Sequence, residues 1–276
     1  MFADTIEYFA NMAFAKVAAL KQNPVGFFIG SMMAGSYVGF GIILIFIVGT
    51  AAELAYQKLV MGMSFGIALT LVVFAGSELF TGHTMYMPLG WLKKTVSSGN
   101  VLGLWSFVWL GNLVGSAGLG ALFVLGGAAG MVSEPTSFLY QVTAAKMNAP
   151  IIELLARGIL CNWLVTLALW MSARASSDAG KAIAIFWCLF AFIASGFEHS
   201  VANMTLFTIA LLGNHPPEVS LAGMFYNLLW VTIGNLISGS LIMATGYWLY
   251  SGRKNEILGK NKQESTEPSS QPSSES

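Results

Sequence analysis

The sequence predicts an all-α membrane protein with six spans, two of them broken, arranged as an inverted repeat of three spans. The first observation is a scarcity of charge, since only 9% of the 276 residues are Asp, Glu, Lys or Arg, against about 25% in a soluble domain. The second is that the apolar residues form long stretches with one charge or none. Because a membrane helix needs roughly 20 apolar residues, these stretches predict spans near 25–48, 59–91, 104–130, 151–173, 182–213 and 224–250.

The balance of charges and the cysteines exclude other classes of protein. Thirteen basic and 13 acidic residues give a net charge of zero, so there is no basic excess to bind nucleic acid by releasing counterions. Cys161 and Cys188 are the only cysteines, and both lie in apolar stretches, which excludes a disulfide scaffold.

The basic residues predict the orientation in the membrane. Ten of the 13 flank the ends of the spans that share a side with the N-terminus: Lys16, Lys21, Lys93, Lys94, Arg174, Lys181, Arg253, Lys254, Lys260 and Lys262. The opposite side has Lys58 and Lys146, with Arg157 just inside the fourth span. Because cytoplasmic loops carry an excess of Lys and Arg, both ends are predicted to be cytoplasmic.

The two ends differ in composition from the spans between them. Residues 1–21 have apolar residues at helical spacing and predict an amphipathic helix lying at the membrane interface. Residues 22–254 form the six-span domain. Residues 255–276 are rich in Ser, Glu, Gln and Pro and contain no aromatic residue, which predicts a disordered cytoplasmic tail.

The chain repeats itself weakly. Residues 76–78 read Gly-Ser-Glu and residues 196–198 read Gly-Phe-Glu, while Gly-Asn-Leu occurs at 111–113 and again at 234–236. An odd number of spans in each copy makes the second copy enter from the opposite side, so an inverted repeat is expected. The copies cover about 25–130 and 151–250.

The second and fifth spans are too long to be straight helices. Residues 59–92 would extend about 50 Å at 1.5 Å per residue, whereas the hydrocarbon core is about 30 Å thick. Residues 182–217 have the same excess, and both stretches carry Gly, Ser and a carboxylate in the middle. Interrupted spans at corresponding positions of two repeats indicate a binding site near the membrane midplane.

Four ionisable residues lie at or near the breaks, and a fifth, His215, follows the fifth span. Glu78 and Glu198 would each cost at least about 2.5–3 kcal/mol if bare at mid-bilayer, so each is expected to accept hydrogen bonds from the freed amides of its own broken helix; a cation or proton relay is the alternative. His199 is expected to have a pore role, against the alternative of a buried histidine satisfied by backbone. His83 either faces a vestibule or is structural, and His215 is expected to be exposed in a loop.

Four stretches together resemble the formate/nitrite transporter family along roughly residues 5 to 250. They read GSELFTGHTM at 76–85, CNWLV at 161–165, SGFEHSVANM at 195–204 and GNL at 234–236. Formate channels typically have Asp and a Ser/Thr-rich ending in the first stretch, where this chain has Glu78 and Gly82-His83. The residues of this first stretch therefore favour nitrite over formate as the substrate.

The resemblance implies a fold, an assembly and a set of pore residues. It implies an aquaporin-like protomer of six spans, assembled as a homopentamer in the bacterial inner membrane with one pore in each protomer. His199 would lie in that pore between two apolar constrictions, with Thr81 within reach and with Asn162 and Lys146 on the conduction path. Glu78, Glu198 and Asn203 would be structural at the breaks. The constrictions would draw on Phe65, Leu69, Leu79, Phe80, Val165 and Phe192.

The function predicted from these features is passage of small monovalent anions, nitrite first, linked to protons at His199. Formate and hydrosulfide remain alternatives within that class. A pore for neutral solutes and a membrane redox subunit with haem on His83 and His199 are alternatives from other classes. No cofactor or metal is predicted, and no nucleophile–base arrangement suggests an enzyme.

Overall fold

The computed structural model describes residues 2–251, and all regular secondary structure in that range is helical. The helices are α1 (Ala3–Gln22), α2 (Pro24–Ala51), α3 (Gln57–Phe74), α4 (Phe80–Leu92), α5 (Ser98–Leu125), α6 (Phe138–Met147), α7 (Ile151–Arg174), α8 (Asp178–Ala194), α9 (Ser200–Leu212), α10 (Leu221–Ile237) and α11 (Gly246–Ser251). A π-helical segment, Ser238–Thr245, joins α10 to α11 without a loop. The predicted disordered tail at 255–276 lies outside the described residues.

The two predicted helix breaks are confirmed. The second predicted span is divided into α3 and α4, and the fifth into α8 and α9. Each break begins with a glycine in the left-handed region, Gly76 at φ 77° and Gly196 at φ 72°, a conformation that ends helices and that glycine adopts without a Cβ penalty. Within residues 2–251, five helical stretches are long and apolar enough to cross a membrane: α2, α3, α5, α7 and the continuous stretch from α10 to α11.

The region between α5 and α7 differs from the predicted third span. Helix α5 begins at Ser98, earlier than predicted, because Ser97 caps it by accepting a hydrogen bond from Asn100 N. It ends at Leu125, earlier than predicted, because Gly126-Gly127 follows and Gly127 has φ 89°. The chain then enters the short helix α6, which the sequence pattern did not reveal.

Helix α1 packs on the body of the protein. Its predicted apolar stripe is buried at Ile6, Phe9, Ala13 and Val17, mainly against α4. Phe14 from the same stripe is the exception at 59% exposure. Most of the stripe therefore contacts protein. A position on the inner leaflet stays a prediction.

The two halves of the chain interlock around the breaks. Helix α3 packs against α8, α5 packs against α9, and the π-helical segment packs against α4. The last span of each half therefore supports the short helix that follows the break in the other half: α5 supports α9, and the π-helical segment after α10 supports α4. This brings the two breaks together, while the inverted orientation of the halves stays a prediction.

Candidate functional site

The first break is held by one buried asparagine of α5. Asn112 Oδ1 accepts a hydrogen bond from Phe80 N at 2.9 Å, which satisfies a free amide where α4 begins. Its Nδ2 donates to the carbonyl oxygens of Ser31 at 2.7 Å and Glu78 at 2.8 Å. One side chain therefore joins α5 to α2 and to the end of the break where α4 begins.

The second break repeats this arrangement with Asn235. Its Oδ1 accepts from Ser200 N at 3.1 Å, and its Nδ2 donates to the carbonyl oxygens of Gly158 at 2.8 Å and Glu198 at 3.2 Å. The repeated Gly-Asn-Leu marks these two asparagines in the sequence, but their role in holding the breaks emerges only from the contacts. Because buried backbone groups are almost always paired, these asparagines supply partners that the broken helices themselves cannot.

The interpretation of Glu78 and Glu198 as acceptors for their own freed amides is wrong. Asn112 and Asn235 each accept one amide at the start of a short helix, and each carboxylate pairs with a lysine instead of with these amides. Lys16 pairs with Glu78, and Lys146 Nζ lies 2.8 Å from Glu198 Oε1.

The second partner of each carboxylate differs between the halves. His83 Nε2 lies 2.9 Å from Glu78 Oε2, whereas Asn203 Nδ2 donates to Glu198 Oε2 at 2.6 Å. Both partners stand five residues after their carboxylate. The two clusters thus share a Lys–Glu pair, and only in the first is the second partner of the carboxylate also titratable.

His199 caps α9 and meets Thr81 of α4. Its Nδ1 accepts from Ala202 N at 3.1 Å, which places the proton of the neutral ring on Nε2. That Nε2 lies 3.1 Å from Thr81 Oγ1, so its N–H donates to the hydroxyl. Both side chains are buried, at 4% and 0% exposure, and the site therefore has one fixed donor at the place where the two halves meet.

Three cavities lie next to one another around His199 and Leu79. A central cavity of about 10 Å³ lies between α2, α3, α7 and α8. An α6-side cavity of about 180 Å³ shares Phe192 and His199 with it and also has Lys58, Lys146 and Asn203 in its wall. An α1-side cavity of about 480 Å³ shares Leu79 with it and has Lys16, Glu78, His83 and Lys181 in its wall. Two larger cavities with lysines in their walls, the α6-side and α1-side vestibules, are thus separated by a small, mostly apolar chamber.

The structure groups most of the predicted constriction residues. Five of the six line the central cavity: Phe65, Leu69, Leu79, Val165 and Phe192. Phe80 does not, because Leu79 has extended backbone at φ −94° and ψ 123°, where successive side chains point to opposite sides, and Phe80 points into a separate cleft between α5 and α10.

Asn162 lies behind this site. It is fully buried, lines none of the three cavities, and its Nδ2 donates to Thr84 Oγ1 at 2.8 Å and to the carbonyl oxygen of Asn235 at 2.7 Å. Thr81 likewise lines none of these cavities, so of the predicted pore residues only Lys146 and His199 stand in their walls.

Replacing Lys146 by Met is expected to destabilise the protein more than the same change at Lys16. Glu198 is 2% exposed and Glu78 15%, and a buried charge that loses its partner costs about 3–5 kcal/mol. Thermal unfolding in detergent measures the loss. The double variant Lys146→Met/Glu198→Gln should recover most of it, and an equal loss in single and double variants would contradict this explanation.

The fold and the site together define a multi-pass helical membrane protein with two ion-paired vestibules around a histidine. A family model described as "Formate/nitrite transporter" matches residues 5–249, and the chain belongs to that family. It is 50% identical over 256 residues to the nitrite transporter NirC of Escherichia coli (strain K12), covering 92% of this chain and 94% of the relative.

Two solved structures share the fold. A structure titled "FNT family ion channel" matches with a TM-score of 0.88 and 50% identity, covering 90% of this chain and 99% of its own. A structure titled "Pentameric formate channel with formate bound" matches with a TM-score of 0.71 and 26% identity, covering 84% and 98%.

Proposed function

We propose that this protein is a channel for small monovalent anions, nitrite first, with passage linked to protons at His199. The observation that carries the proposal is the pair of lysine-bearing vestibules separated by a small apolar chamber with His199 in its wall. The 50% identity to a nitrite transporter favours nitrite among such anions.

The vestibules attract anions without trapping them. Lysines line both cavities, and a concave surface with positive charge raises the local concentration of anions. Lys16 and Lys146 are each paired with a carboxylate. This pairing reduces the net charge that an entering anion meets, so the anion can leave again.

The central cavity forces an anion to shed water. A cavity needs roughly 10–15 Å³ to hold one water molecule, and this one measures about 10 Å³. Moving a bare charge into such an apolar space is costly. The N–H of His199 Nε2, released from Thr81, supplies a hydrogen bond in place of one lost water.

Protonation of the anion removes most of the remaining cost. Nδ1 of His199 accepts a hydrogen bond from Ala202 N, so the neutral ring meets the anion as a hydrogen-bond donor through Nε2. The ring can become positive only if the bond between Ala202 N and Nδ1 opens and leaves Nδ1 free to take a proton. Nitrite is the anion of a weak acid, so lower pH raises the fraction that crosses as the neutral acid. Chloride cannot use this route.

The same reasoning extends to formate and hydrosulfide, which are also weak-acid anions. The structural match to a formate channel favours formate as the second candidate. A pore for neutral solutes is disfavoured by lysines in both vestibules.

We further propose a homopentamer in the bacterial inner membrane, with both ends cytoplasmic. The pentameric assembly of the related formate channel supports the first part. The ten basic residues on one side support the orientation.

Flux into liposomes containing the purified protein tests this function. Nitrite, formate, hydrosulfide and chloride are compared from pH 5 to 8, with protein-free liposomes subtracted at every pH because neutral acids also cross lipid. We expect nitrite flux to rise as pH falls and chloride flux to stay near background. Swelling by uncharged solutes without anion flux would contradict the proposal, and a strong formate preference would change the substrate.

A further inference from the structure

We propose that Thr84, which lines none of the three cavities, is a positioning residue that holds Thr81 for His199. This inference rests on the proposed function, since it assigns a role within the same pore. Thr84 Oγ1 donates to the carbonyl oxygen of Thr81 at 2.6 Å, and Thr84 is fully buried. Thr81 in turn lies 3.1 Å from His199 Nε2.

Asn162 determines the direction of that bond. Its Nδ2 donates to Thr84 Oγ1 at 2.8 Å. A hydroxyl has one proton, and with Asn162 supplying a donor, the proton of Thr84 goes to the Thr81 carbonyl. Asn162 is held by Asn235, the residue that caps the second break. The first turn of α4 is thus linked through Thr84 to the scaffold of the other half.

The π-helical segment packs closely against Thr84. Ser240 Oγ donates to the carbonyl oxygen of Thr84 at 3.2 Å. Gly239 faces the same residue, and a Cβ there would collide with the Thr84 side chain. π-Helical turns are rare and frequently occur at functional sites. Here the segment makes room for Thr84 while giving its backbone a hydrogen bond.

Together these contacts hold Thr84 from three sides. If the Thr84 hydroxyl turned away or shifted by about an ångström, it would lose its hydrogen bonds to Asn162 and to the Thr81 carbonyl. Because small misplacements in a site can lower rates by up to about 100-fold, Thr84 is expected to affect conduction without touching the ion.

A double-mutant cycle on nitrite flux tests whether Thr84 acts through Thr81. Thr81→Val and Thr84→Val remove one hydroxyl each at nearly constant volume, and each is expected to lower flux about tenfold, the effect of roughly one hydrogen bond. The double variant should be no slower than Thr81→Val alone, because coupled residues are not additive. Thr84→Ser should restore most of the flux.

Thr208→Val is the matched control. Thr208 Oγ1 donates to Met204 O of its own helix at 2.8 Å, and the residue lines none of the three cavities, so its loss should leave flux unchanged. If Thr84→Val does not assemble, Ser240→Ala takes its place, because it removes only the hydrogen bond to the Thr84 carbonyl. The expected loss of flux is smaller, and it should disappear in the Thr81→Val background.

Two outcomes overturn the inference and can be told apart. If the losses of flux in Thr81→Val and Thr84→Val multiply in the double variant, Thr84 has only a general structural role. Normal flux in Thr81→Val shows that the Thr81–His199 pair does not serve conduction, which removes the basis of the proposed site as well.

Discussion

Replacing His199 by Phe is expected to abolish proton-linked nitrite flux in liposomes. The phenyl ring keeps the apolar contact with Phe192, whose ring centroid lies 6.0 Å from that of His199, but removes the N–H donor from the wall of the central cavity. An anion entering that cavity then has no replacement for the water it loses, and each unmade hydrogen bond to a charged group costs about 1.5–3 kcal/mol. The remaining flux should show no rise as pH falls.

Two further variants separate the pore role of His199 from its structural role. His199→Asn can still cap α9, because Asn is a favoured N-cap residue, but its shorter side chain does not reach Thr81. It should fold as well as the natural protein and still fail to conduct. His215→Phe changes an exposed loop histidine and should leave flux unchanged. Normal flux and pH response in His199→Phe would contradict the proposed mechanism.

Replacing Asn235 by Leu is expected to cause one of the largest losses of stability of any single substitution in the protein. The side chain is fully buried and makes three hydrogen bonds, to Ser200 N and to the carbonyl oxygens of Gly158 and Glu198. Leu fills a similar volume but leaves these backbone groups without that partner. At about 1–3 kcal/mol for each buried group left unpaired, the loss is about 3–5 kcal/mol or more.

Thermal unfolding in detergent measures this loss. Asn112→Leu should behave similarly, because Asn112 makes the corresponding three bonds at the first break. Asn214→Leu is the control, since Asn214 is exposed and its side chain makes one long bond of 3.4 Å. Equal stability of the variants at positions 235 and 214 would contradict a scaffold role for the buried asparagines.

Much of the fold was predictable because the membrane imposes simple rules on a sequence. The all-helical class follows from long apolar stretches, since helices satisfy their own backbone hydrogen bonds in lipid. The breaks follow from stretches longer than the bilayer with Gly, Ser and Glu in the middle. Helix α6 was not predictable, because ten residues of mixed polarity between Phe138 and Met147 carry neither a span signal nor a strong apolar stripe.

The candidate site was predictable in its residue types but only partly in its geometry. His199 and Thr81 do lie together, 3.1 Å apart, although 118 positions separate them in the chain. Phe80, Thr81 and Asn162 belong to the quoted motifs but line none of the three cavities. Neighbours in a motif diverge in space because side chains alternate sides along extended backbone and turn about 100° per residue along a helix.

Composition and local pattern suffice for properties that depend on solvent. A chain with few charges must be in lipid, and a carboxylate flanked by Gly and Ser in an overlong span must mark a break, whatever surrounds it. Partners across the protein depend instead on which helices meet. The pairing of Lys16 with Glu78 and of Lys146 with Glu198, the caps from Asn112 and Asn235, and the place of Thr84 behind Thr81 arise from the packing of the two halves, since hydrogen bonds and ion pairs require atoms within about 3 Å and spacing along the chain does not specify such distances.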